Sequence, residues 1–97
     1  MSLAIRVRRV YTPDMVVENG VVVLRNGRVS YVGRRVEEAD GVELLDFPDC
    51  ICAPGFIDLH VHGGGGCDFA DGEPDAFRTI CRYHATGGTT SLLATIW

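Results

Sequence analysis

Lysine is missing from this chain. All nine basic residues are arginine, so no side chain here can form a Schiff base or act as a metal-bridging amine. Base composition is the plainer reason for that bias. Long apolar runs are missing too. Nothing approaches the ~20 residues a membrane span needs, and Met1–Arg9 lacks the apolar core of a secretory leader. No membrane partner and no leader are therefore expected. Positive charge is in deficit. The net charge is −4 and the isoelectric point about 5.2, which argues against a nucleic-acid partner. Cys50, Cys52, Cys67 and Cys81 form no Cys-x-x-Cys pair. Without a secretory context they read as free thiols in a reducing cytoplasm. Cys50-x-Cys52 as a zinc site is the minor alternative; small buried hydrophobes is the better reading.

What is present divides at Pro54-Gly55. Residues 1–53 read as a β-rich domain of short strands. Ile5 and Val7 alternate with arginines in Ala4–Val10, and Tyr11-Thr-Pro-Asp14 forms a turn. Asn26-Gly27 separates Val21–Leu24 from Arg28–Val32, a strong hairpin signal. Arg34–Gly41 is charged and expected as a solvated loop. Val42–Phe47 resumes a strand, Pro48-Asp49 turns, and Cys50–Ala53 is extended again. A small, mostly antiparallel unit follows from this pattern.

Residues 54–97 have a different character. Phe56–His62 is a nearly continuous apolar strand, as expected for one buried on both faces. Gly63–Gly72 reads as a loop, with Asp68 and Asp71 as loop or cap residues. Glu73-Pro74 suits a helix start. Phe77, Ile80, Cys81 and His84 recur at helical spacing through Asp75–Ala85. Gly87-Gly88 stops that helix, and Thr89–Trp97 is the next strand. Strand, helix and strand within about forty residues form a βαβ unit. An apolar strand at the very end needs neighbours, so the chain is expected to be the front part of a larger protein.

The chemistry concentrates at His60-Val61-His62. Side chains alternate along a strand, so the two imidazoles share a face. Packed, hydrogen-bonded histidines are one reading. A His-x-His at the carboxyl end of a buried strand, followed by glycines, favours the other: two ligands for a divalent metal. Asp58 falls on the same face, either as an acceptor behind a ligand histidine or as a structural acid. Gly63, Gly64, Gly65 and Gly66 allow three readings: backbone clearance for a substrate, an anion-binding concavity, or a mobile loop. His84, on the apolar side of the helix, reads as a satisfied core histidine.

Pro54-Gly-Phe-Ile-Asp-Leu-His-Val-His62 after a β-rich leader resembles the amidohydrolase superfamily of metal-dependent hydrolases. The continuation narrows this. His62-Gly63, Gly66-Cys-Asp-Phe69, Asp71-Gly72 and Gly87-Gly-Thr-Thr-Ser-Leu-Leu-Ala-Thr95 are similar to the N-acetylglucosamine-6-phosphate deacetylase family. The resemblance is loose over 4–50 and tight over 53–95. It implies a small β-sandwich-type domain followed by the start of a (β/α)8 TIM barrel, with His60 and His62 as the first-strand metal pair. Some members of that family carry amides at both positions; this chain keeps both imidazoles.

The resemblance further implies a hydrolase of carbon–nitrogen bonds. The intact protein would remove the acetyl group of N-acetylglucosamine 6-phosphate, giving glucosamine 6-phosphate and acetate. One or two divalent ions are implied, zinc first and iron, manganese or cobalt as alternatives. The catalytic aspartate and remaining ligands are expected downstream of Trp97, so no catalytic residue is assigned here and this piece alone is expected to be inactive. A small amino-sugar phosphate is the expected partner, with a homodimer as the family habit. Two rival hydrolases stand beside it. Hydantoinase- or dihydroorotase-like cyclic amidases share the Pro-Gly…His-x-His part, and His62-Gly-Gly-Gly resembles the oxyanion loop of some serine esterases.

Overall fold

A computed structural model describes all residues, Met1–Trp97. The chain divides into two compact units, Met1–Pro54 and Gly55–Trp97.

The first unit is one four-stranded sheet built from β1 (Ser2–Tyr11), β2 (Val16–Arg25), β3 (Arg28–Gly33) and β4 (Glu43–Cys52), in the order β3-β2-β1-β4. Asn26 and Gly27 join β2 to β3 with φ of 52° and 73°. Two successive left-handed residues are what a tight hairpin turn demands. Between β1 and β2, the Thr12 hydroxyl accepts the main-chain N–H groups of Asp14 and Met15 and donates to the Met15 carbonyl. The sheet is mixed: β1 pairs antiparallel with β2 but parallel with β4. Alternation buries residues on both faces. Ala4, Val21 and Val23 form one cluster, and Val7, Val10, Val17 and Val22 the other.

Two expectations for this unit change. Val42–Phe47 and Cys50–Ala53 are not separate strands divided by a turn. They run together as β4, and Pro48 sits where its register against β1 shifts, between the pairs Val7–Phe47 and Arg9–Ile51. Proline lacks a ladder N–H, so an irregularity is where a strand tolerates it. The charged Arg34–Gly41 segment is not wholly solvated either. It contains a 3-10 turn, Val36–Ala39, and buries Ala39 against Ala4, Val21 and Val23. The sandwich expected of this region is represented here by a single sheet layer.

In the second unit, β5 (Phe56–Val61) leads into a miniature hairpin, β6 (Gly63–Gly64) and β7 (Cys67–Asp68). A 3-10 turn, Phe69–Asp71, follows. Asp68 and Asp71 cap it reciprocally, each carboxylate accepting a main-chain N–H near the other residue, and Gly72 closes it at φ 69°. Then come α1 (Pro74–Ala85) and β8 (Thr89–Ala94), which pairs parallel with β5. The strand–helix–strand arrangement is the βαβ unit expected from the spacing. Its core is Val61, Phe69 and Ile80, with Cys67 and Leu92 packed around them. The stretch read as a loop thus supplies Phe69, one of the most buried side chains of the chain.

The strand β5 is not buried on both faces within these residues. Ile57 and Leu59 are 69% and 71% exposed. Only Val61, at its carboxyl end, enters the core with α1. Residues 56–59 have one sheet neighbour, β8.

Candidate metal centre

His60 and His62 stand at the carboxyl end of β5, on either side of Val61. The register against β8 shifts between Asp58 and Val61, yet the local alternation holds: Val61 points into the core and the two imidazoles converge. Their Nε2 atoms lie 3.1 Å apart. The ring centroids are 5.1 Å apart and the planes are inclined at 65°. Neither ring bonds a main-chain group. A hydrogen bond between them needs Nε2–H on one ring and a bare Nε2 on the other.

The same geometry suits a shared cation. Two nitrogens each ~2.0–2.1 Å from one zinc ion and subtending about 95–110° lie roughly 3.0–3.4 Å apart. The observed separation falls in that range. Coordination through both Nε2 atoms requires the ring protons on Nδ1. The Nδ1 of His62, where that tautomer carries its proton, is buried and has no hydrogen-bond partner in this chain. No group of three or more histidine, cysteine or acidic side chains gathers anywhere in the chain. The pair by itself falls short of the three or four protein donors that a zinc centre uses.

The main chain around the pair is tied at consecutive carbonyls. The Val61 carbonyl accepts from the Thr95 N–H at 2.9 Å, and the His62 carbonyl from the Phe69 N–H at 2.8 Å. The Gly63 carbonyl accepts from His84 Nε2 at 2.9 Å. Asp58 does not reach either ring. Its Oδ1 accepts the main-chain N–H of His60 at 3.1 Å, so it shapes the backbone at the first ligand rather than orienting an imidazole.

The four glycines are ordered by pairing. Gly63 and Gly64 face Asp68 and Cys67 across the hairpin, and Gly65 and Gly66 turn it with φ of 61° and 85°. A Cβ at Gly63 would lie 2.2 Å from the Cys67 carbonyl oxygen, and one at Gly64 would lie 2.8 Å from His84 Nε2. The clearance at these two positions serves the protein's own backbone and helix.

Two neighbours of the pair were not foreseen. The Trp97 indole stacks on the His62 ring, 4.7 Å between centroids and 7° from parallel. His84, expected to be satisfied, finds its acceptor at the residue following a candidate ligand. Neither spacing nor composition signals these partners, because both depend on where β8 and α1 lie against β5. The Cys50-x-Cys52 alternative gathers no third ligand. Burial also holds the Cys52 thiol above its usual range, which disfavours the thiolate that zinc needs.

No family model matches the chain. Similar proteins are nevertheless clear. N-acetylglucosamine-6-phosphate deacetylase of Bacillus subtilis (strain 168) is 35% identical over 95 residues, 97% of this chain and 24% of that protein. The enzyme of the same name from Vibrio furnissii is 40% identical over 79 residues, 77% of this chain and 18% of that protein. Among solved structures, N-acetylglucosamine-6-phosphate deacetylase from Pasteurella multocida superposes with a TM-score of 0.87 at 25% identity, over 99% of this chain and 26% of that one. The chain spans about a fifth to a quarter of the length of these relatives. In sequence and in fold it is similar to the N-terminal portion of the N-acetylglucosamine-6-phosphate deacetylases.

Proposed function

We propose that this chain is the metal-anchoring front of a larger hydrolase. That enzyme cleaves the N-acetyl amide of N-acetylglucosamine 6-phosphate, releasing acetate and the free amine. The observation that carries this reading is the 3.1 Å approach of the His60 and His62 Nε2 atoms, at the end of a strand and free of main-chain partners. The similarity to deacetylases supports the choice of reaction. Zinc is the first choice of ion, because paired imidazoles are among its common ligands; one or two ions are compatible with a pair of donors.

When bound, such an ion supplies a Lewis acid that polarises an amide carbonyl and acidifies water. The residues of this chain hold and orient. His60 and His62 would hold the ion through their Nε2 atoms, Asp58 fixes the main chain at His60, and the ties at Val61, His62 and Gly63 fix it beyond. General acid–base work and the remaining ligands fall to residues outside this chain, as does cover for Ile57 and Leu59, which neighbouring barrel strands and helices would provide.

The test is metal content and deacetylation of N-acetylglucosamine 6-phosphate in the full-length protein carrying His60→Ala and His62→Ala together. Both should fall, and activity by more than the ~10–100-fold that outer partners of a metal cost. Unchanged metal stoichiometry would sink the proposal.

A further inference from the structure

We infer that His84 is a positioning residue for the metal pair, acting through the Gly63 carbonyl. This rests on the reading of His60 and His62 as ligands and adds to it a control from the helix. The main chain that carries His62 is bound at three successive carbonyls, by Thr95, Phe69 and His84, with donor–acceptor distances of 2.8–2.9 Å. Two of those donors are main-chain amides supplied by the parallel strand pairing and by the hairpin. The third is a side chain, and it reaches across from α1. Gly63 begins the turn away from the ligand, and its carbonyl lies in the Gly63–Gly64 peptide, so the bond from His84 fixes the plane that follows the His62–Gly63 peptide. An imidazole whose Nε2–H donates there has one tautomer and, in the last turn of a helix, few rotamers.

The fold makes room for this bond. Gly64 lacks a side chain where a Cβ would come within 2.8 Å of His84 Nε2 and of Tyr83 Cδ1. The Tyr83 ring meets the His84 ring edge-on at 5.3 Å and limits its rotation. Glycine at 64 and histidine at 84 are thus two halves of one contact. His84 is half-buried and makes no approach to His60 or His62, so its effect on a bound ion passes through the backbone.

Zinc affinity of the full-length protein, measured by competition with a chromophoric chelator, reads this effect without relying on turnover. His84→Leu should weaken zinc binding about 10-fold, the low end for partners one step removed from a metal. His84→Gln keeps a donor and should stay within about threefold of the parent. Gly64→Ala should reproduce the loss by pushing the His84 ring off the Gly63 carbonyl. The double variant Gly64→Ala, His84→Leu should lose no more than either alone, since both break one bond. Parental affinity in His84→Leu, or equal losses in His84→Leu and His84→Gln, would overturn the inference. Should His84→Leu fail to fold, Gly64→Ala decides, and parental affinity there overturns it as well. The variant lacking His60 and His62 separates the two readings. If it keeps its zinc, the ligand assignment has failed; if it loses zinc while His84→Leu does not, only the role of His84 has failed.

Discussion

At the scale of single residues, glycines next to the histidine pair carry unequal constraints. Gly63 has no room: a methyl group would strike the carbonyl of Cys67 and approach the Asp68 Cα at 3.0 Å. Both are backbone atoms of the facing strand and cannot swing aside. Gly66 has open space around its missing Cβ and is constrained only by its φ of 85°. Gly63→Ala should therefore cost about 2–3 kcal/mol by forcing the hairpin open. Gly66→Ala should cost about 1–2 kcal/mol, the ordinary penalty for a left-handed L-residue, and Gly66→Asn less. Thermal denaturation of the three variants checks the ranking; equal losses for Gly63→Ala and Gly66→Asn would contradict it. A run of four glycines reads as one feature in the sequence. The structure gives its members different duties because only some of them meet another chain segment.

Among the elements, the pairing of β1 with β4 is reinforced on the surface. Arg6 and Asp46 stand opposite each other in the parallel register and form an ion pair with two hydrogen bonds. Arg9 and Glu18 form a similar pair across β1 and β2 at 2.7 Å. The hydrogen bond from Arg6, more than its charge, lowers the Asp46 carboxyl below its usual range. A depressed carboxylate stabilises the fold above its unfolded pKa of ~3.9, and that contribution disappears as pH falls through the folded value. Asp46→Asn should therefore leave acid unfolding less steep below pH ~4, with a small effect at neutral pH because the pair is solvated. Acid titrations of both proteins followed by circular dichroism check it. An identical acid limb in the two proteins would remove the pair from the account. The hairpin at Asn26-Gly27 and the helix at Pro74–Ala85 were legible in the sequence because their signals are local. The joining of β4 through Pro48 was not, because a proline between two apolar runs looks the same whether the chain turns or bulges against a partner.

For the whole molecule, the second unit leaves Phe56, Ile57, Leu59 and Leu93 largely in contact with water. Apolar side chains left exposed along two paired strands mark faces that another layer covers or that associate with themselves. Residues 1–97 expressed alone should therefore show no deacetylation, elute above monomer size and bind an apolar dye more strongly than the full-length protein. A monodisperse, dye-silent monomer would argue for a self-sufficient domain. An active one would place catalytic residues within this chain and refute the proposed division of labour.

Local pattern alone determined the hairpin, the βαβ unit and the candidate pair. Each follows from alternation, helical spacing or turn chemistry within about forty residues, where the covalent chain already limits geometry. His60-Val61-His62 could be assigned to one side of a strand because period two needs no knowledge of the partner strand. Tertiary structure decided the rest. It brought the two Nε2 atoms to 3.1 Å, turned Asp58 to the main chain, set Phe69 in the core and placed His84 against Gly63. Those contacts join segments up to 21 residues apart, and their geometry depends on how a helix and a hairpin settle on the strand between them.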